Sequence, residues 1–231
     1  MLFKQLFDTK SSTYTYIVSS GKGREALIID PVIDNTDEYI SILKNLDLKL
    51  VKVIDTHIHA DHISGLNELS KRTKCSKIMG EESSSEVVDI HVKDNEKIKI
   101  DNIELISIYT PGHTDCSYSF LMNDRVFTGD ALLINSTGRT DFQNGNSHDA
   151  YDSLFNKLLK LPEKTLVYPA HDYSGKKNST IENEKKTNPR LQVSSVEEYV
   201  EIMNNLNLEN PKMMDIAVSA NIKGFTLDHI N

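Results

Sequence analysis

Short apolar runs, each closed by turn residues, recur along the first third of the chain. Thr13-Tyr-Thr-Tyr-Ile-Val18 and Glu25-Ala-Leu-Ile-Ile-Asp30 read as β-strands, separated at Gly21-Lys-Gly23 and closed by Pro31. Tyr39, Ile40, Leu43 and Leu46 then recur at helical spacing, in a helix entered through Asn35 with Glu38 three residues on. Leu50-Val-Lys-Val-Ile54 is strand-like. The segment after it predicts a helix with Ile63, Leu66 and Leu69 facing inward.

The middle of the chain predicts mostly strands: 77–79, 87–92, 97–100, 103–109, 118–122 and 125–128. Helical periodicity returns at Tyr151, Leu154, Phe155, Leu158 and Leu159 and stops before Pro162. Thr165-Leu-Val-Tyr168 is a further strand. Ser179-x-x-Glu182 and Ser195-x-x-Glu198 read as helix starts, where side chains satisfy free N–H groups. Strands and helices mix without a linker, low-complexity tract or fixed repeat. This predicts one α/β domain over 1–231, with 179–231 a short C-terminal extension packing on it.

Composition narrows the functional classes. The 231 residues include 26 Lys+Arg and 34 Asp+Glu, a net charge of −8, which disfavours nucleic acid and anionic membranes as partners. No apolar run approaches the ~20 residues of a membrane span. The two cysteines, Cys75 and Cys116, make no disulfide framework. Cys116, three residues after His113, is expected to be inert packing. The expected setting is cytoplasmic, or mitochondrial in a eukaryote whose transit peptide has been trimmed.

The densest chemistry is at 57–62, His-Ile-His-Ala-Asp-His. Imidazole and carboxylate donors suit Zn, Fe, Mn, Ni or Co, and the absence of thiolate argues against a closed structural zinc site. Three other strand-like runs also stop at a metal-capable residue. Ile103–Tyr109 leads to Thr110-Pro-Gly-His113, Arg125–Thr128 to Gly129-Asp130, and Thr165–Tyr168 to Pro169-Ala-His171. In α/β folds, sites form beyond the carboxyl ends of strands. If the four strands share one sheet edge, their loops meet in one pocket.

The set His57-x-His59-x-Asp61-His62, His113, Asp130 and His171 resembles the metallo-β-lactamase superfamily. The resemblance implies an αββα sandwich, two mixed sheets between helix layers, with a metal site at one edge. Leu27–Val32, Thr56–Gly65, Phe127–Ile134, Gly138-Arg-Thr-Asp-Phe-Gln143, Tyr168–Gly175 and Asn188-Pro-Arg-Leu191 are similar to the persulfide dioxygenases, over nearly the whole chain. The run His113-Thr-Asp-Cys116 departs from that family by lacking a Gly before the Cys.

The family resemblance implies one Fe(II) per chain, held by His57, His113 and Asp130, with glutathione persulfide and O2 as substrates and sulfite and glutathione as products. His59, Asp61, His62 and His171 then stand behind the ligands, orienting them and holding water. Arg190 and Tyr173 fall where the resemblance places glutathione contacts. Arg139 is a third candidate, which can instead brace the site through Asp141 or Asp172. A homodimer is compatible with the family. The competing enzyme is a glyoxalase II-like thioester hydrolase with two metal ions acting on S-lactoylglutathione. The 60 residues after His171 are fewer than its longer helical substrate domain needs. A non-enzymatic scaffold predicts lost ligands, and every ligand position is filled.

Overall fold

Two six-stranded sheets face each other across an apolar interior. The computed structural model describes residues 1–210 and 213–230; Pro211, Lys212 and Asn231 lie outside the described residues. The first sheet runs in chain order through β1 (Leu2–Asp8), β2 (Thr13–Ser19), β3 (Glu25–Ile29), β4 (Lys49–Ile54), β5 (Ser76–Gly80) and β6 (Ile90–Val92). The second contains β7 (Lys97–Ile100), β8 (Ile103–Tyr109), β9 (Tyr118–Leu121) and β10 (Arg125–Gly129). A small hairpin, β11 (Leu132–Leu133) with β12 (Ser136–Thr137), stands apart from both sheets. The second sheet is completed by β13 (Leu166–Pro169) and β14 (Ser179–Thr180), and its order is β14-β13-β10-β9-β8-β7.

Residue alternation decides the layers. In β2, Tyr16 and Val18 face the second sheet, where they meet Phe120, Phe127 and Tyr168, while Ile17 points to the opposite face. That opposite face is covered by α1 (Thr36–Asn45) and α2 (Leu66–Thr73) through Tyr39, Leu43, Leu66 and Leu69. On the far side of the second sheet, Val126 and Val167 pack beneath Leu154, Leu158, Ile181 and Tyr199. These come from the helical stretch beginning with α3 (Ser147–Asp152), from α4 (Ile181–Thr187) and from α5 (Val196–Asn204). The result is the four-layer αββα sandwich, with mixed parallel and antiparallel pairing in both sheets.

Some local expectations change. β1 was not evident in the sequence; as an edge strand it is only half-buried. Residues 87–89 are not strand, and only 90–92 pair with β5. The cap of α4 is Thr180, which accepts from the Asn183 N–H, because Ser179 pairs in β14. Ser195 caps α5 as expected, accepting from the Glu198 N–H. A helix absent from the sequence reading, α6 (Met214–Lys223), lies against the histidine-rich turn. Among the described residues no helix is long and apolar enough to cross a membrane.

Candidate metal centre

The four ligand-bearing strands do not share one sheet. β4 belongs to the first sheet and β8, β10 and β13 to the second. Their carboxyl ends still meet, because β8, β10 and β13 run parallel to one another and end at the edge where β4 also ends. The sheets are stitched there by Tyr14 N–H to Ala170 O at 2.6 Å and Tyr118 N–H to Thr56 O at 2.8 Å.

His57, His113 and Asp130 each offer a ligand atom, and the three atoms lie within 4.8 Å of one another. His57 is buried, with its ring 5.0 Å from that of His113 at 83°. His113 Nε2 is 3.6 Å from Asp130 Oδ2. Backbone groups fix what each imidazole presents. His113 Nδ1 is 2.8 Å from the Arg139 carbonyl, which can only accept, so Nδ1 carries the proton and Nε2 keeps its lone pair for the site. His57 Nδ1 meets Thr56 Oγ1 at 3.0 Å, and that hydroxyl donates onward to Asp30 Oδ2. Burial holds His57 and His59 well below the usual imidazole range, so both stay neutral and able to bind a cation.

A second set stands beside the first. His59, Asp61 and His62 also bring ligand atoms within 4.8 Å of one another. His59 Nδ1 and His62 Nε2 are buried and have no hydrogen-bond partner among the described residues. Buried polar atoms are rarely left so, and these nitrogens fit a metal ion or water. His171 is differently placed. Its Nδ1 meets Asp130 Oδ1 at 2.7 Å and its Nε2 meets Asp61 Oδ2 at 2.8 Å. Burial opposes charging this ring, yet Asp130 and Asp61 raise its pKa well above the usual value. Burial likewise opposes charging both carboxyls, but the His171 charge holds them well below theirs. With both nitrogens committed to carboxylates, His171 ties the two sets together and offers no free lone pair.

Glycines make this closeness possible. Gly129 has φ of +54°, and a Cβ there would come within 2.7 Å of Thr56 Oγ1. A Cβ on Gly138 would lie 2.2 Å from the Asp130 carbonyl oxygen and 2.9 Å from the His113 ring. Several supports escaped the sequence reading. Asp30, its pKa pushed up to about 6 by burial, receives the Thr56 N–H and faces His59 Nε2 at 3.3 Å. Gln143 donates to the Ile58 carbonyl inside the histidine run. Asn221 of α6 donates to the carbonyls of His59 and His62 and accepts from the Ser64 N–H. Only Asp30, following a strand and preceding Pro31, carried a local signal.

A cavity of about 630 Å³ opens beside His113, Asp130 and Asp61. Arg190, Tyr173 and Arg139 all line it. Arg190 is half-buried; its guanidinium donates to the Thr137 carbonyl and has no carboxylate partner among the described residues. Tyr173 is 76% exposed at the mouth, stacked parallel to His171 at 6.2 Å. Arg139 is already engaged, forked onto Asp141 and donating to the carbonyls of Leu208 and Glu209. Cys116 is buried against Ile58 and Met79, with its thiol pushed up by burial, as inert packing requires. Asp115, in the run His113-Thr-Asp-Cys116, accepts from Asn144.

The metallo-beta-lactamase superfamily model matches residues 8–171. This is the class that the sandwich and its edge histidines define. The mitochondrial persulfide dioxygenase of Mus musculus is 42% identical over 226 residues, covering 96% of this chain and 88% of that protein. The crystal structure of a protein of the same name, ETHE1, from Myxococcus xanthus superposes with a TM-score of 0.94 at 46% identity, covering 96% of this chain and 98% of that one. A hydroxyacylglutathione hydrolase of Dictyostelium discoideum is 34% identical over 188 residues, 75% of this chain and 69% of that one. The chain belongs to the persulfide dioxygenase family of the metallo-beta-lactamase superfamily.

Proposed function

We propose that this chain oxidises glutathione persulfide with O2 and water to sulfite and glutathione, with release of protons, using one iron ion per chain held by His57, His113 and Asp130. The observation that carries the reading is one cavity that joins a two-imidazole, one-carboxylate set to an arginine lacking an acidic partner among the described residues. The 42% identity to named persulfide dioxygenases supports the same reaction. Fe(II) bound there would supply open positions for sulfur and O2 and, unlike closed-shell zinc, redox chemistry.

The chain's own residues do the rest. The Arg139 carbonyl and the Thr56 hydroxyl hold the His113 and His57 rings so that each presents one lone pair to the same point. His171 holds Asp130 through its Oδ1, which leaves Oδ2 facing His113. Arg190 takes a substrate carboxylate, for which a planar two-pronged donor is suited. Tyr173 offers its hydroxyl at the mouth. Arg139 is assigned to holding the 208–209 rim rather than to direct contact, since its fork is occupied.

The second reading, a binuclear thioester hydrolase, is favoured by the set His59, Asp61 and His62 with its two free nitrogens. Metal analysis together with activity separates the two. One iron per chain and O2 consumption that depends on glutathione persulfide supports the dioxygenase. Two zinc ions per chain with S-lactoylglutathione hydrolysis overturns it.

A further inference from the structure

Glu184 is wholly buried, beneath the wall of the cavity, and takes no part in the chemistry above. Its Oε2 accepts two N–H groups from two separate segments: the Asn135 backbone at 2.9 Å and the Asn188 side chain at 2.8 Å. Its Oε1 has no partner among the described residues. An apolar side chain would fill the same volume without the cost of burying a carboxyl group. What an apolar side chain lacks is an acceptor for both segments at once.

Those segments are the two that hold Arg190. Asn135 is the left-handed residue, φ +56°, in the turn between β11 and β12. The hairpin's Leu133, Ile134, Ser136 and Thr137 line the cavity, and the Thr137 carbonyl accepts from the Arg190 guanidinium. Asn188 ends α4 before Pro189. Its amide donates to Ser136 O at 2.9 Å as well as to Glu184, and its Oδ1 accepts the Arg190 N–H at 3.1 Å. The side chain of Arg190 is thus anchored on the hairpin and its backbone on Asn188. Both anchors converge on a single oxygen atom of Glu184.

We infer that Glu184, acting through Asn135 and Asn188, is a positioning residue that sets the Arg190 guanidinium for a substrate carboxylate. The inference rests on the reading of Arg190 as a glutathione contact. Glu184 touches neither metal ligands nor cavity, so its loss alters substrate affinity and leaves metal content alone.

The test uses iron-loaded enzyme with reduced glutathione as the probe, measured by calorimetry, alongside KM and kcat for glutathione persulfide. Glu184→Ala is expected to weaken glutathione binding about tenfold, the scale of one misplaced charge-assisted contact. KM rises in parallel while kcat and iron content hold. Glu184→Gln keeps one oxygen able to accept both N–H groups and should stay close to wild type. Glu184→Ala combined with Arg190→Ala should bind no more weakly than Arg190→Ala alone, because the two act as a unit. If Glu184→Ala does not fold, Asn188→Ala breaks the same linkage and carries the same expectation. Wild-type glutathione affinity in the folded variant, while Arg190→Ala is weakened, overturns the role of Glu184 alone. So do additive losses in the double variant. Wild-type affinity in Arg190→Ala overturns both this inference and the substrate reading beneath it.

Discussion

At the scale of single residues, the site depends on which atom of each ring is left free. The tautomer of His113 is set by a backbone carbonyl and that of His57 by a hydroxyl held on Asp30. Asp130 supplies the one carboxylate to the His57 and His113 set, and Asp130→Ala should abolish iron binding, read by metal analysis of the purified protein. Retention of one iron per chain would show that the set His59, Asp61 and His62 holds the ion. Arg190→Ala should raise KM for glutathione persulfide by roughly 10- to 100-fold, given about 1.5–3 kcal/mol for a hydrogen bond to a charged group. Iron content should not change, and an unchanged KM would remove Arg190 from the substrate contacts. The residues themselves were legible, because all seven metal-capable side chains of the motif fall in short runs after apolar strands. Their division was not: both nitrogens of His171 are spent on carboxylates from two distant loops, and no local pattern encodes that.

At the scale of elements, strands deliver the ligands and loops aim them. The loop after β10 crosses so close to its neighbours that Gly138 sits against both the Asp130 backbone and the His113 ring. Gly138→Ala should displace one or the other, and the measured outcome is loss of metal affinity in a chain that still shows native far-UV circular dichroism. Metal bound as tightly as in wild type would mean that the loop can relax. The helix α6 is the least predictable element. Its residue Asn221 makes three hydrogen bonds to the turn carrying the histidines, yet it lies 159 residues from His62 in sequence. The Ser179 cap expectation failed for a related reason. Pairing with β13 drew Ser179 into a strand and passed the cap to Thr180. Tertiary pairing overrode a local signal that was otherwise sound.

At the scale of the whole molecule, two sheets are held face to face by large side chains, with Tyr16, Phe120 and Phe127 at most 1% exposed. Phe127→Ala should cost about 3–5 kcal/mol of stability, read as a fall in the urea midpoint. The effect should reach the site, since Phe127 lies on the strand that ends at Asp130. Removing the metal with a chelator should lower the Tm, because an ion bound only by the folded state stabilises it by mass action. An unchanged Tm would mean that buried hydrogen bonds alone hold the ligand loops together. Alternation and spacing, local properties written in chain order, determined one α/β domain and strand ends that stop at metal-capable residues, while the sandwich followed from the family resemblance that those motif residues carry. Only the tertiary structure decided that the ligands come from two sheets, that Arg139 is occupied, that Arg190 lacks an acid among the described residues, and that Glu184 stands beneath them. Those facts depend on which groups meet across tens of residues, and a hydrogen bond between distant segments leaves no trace in the pattern of either one.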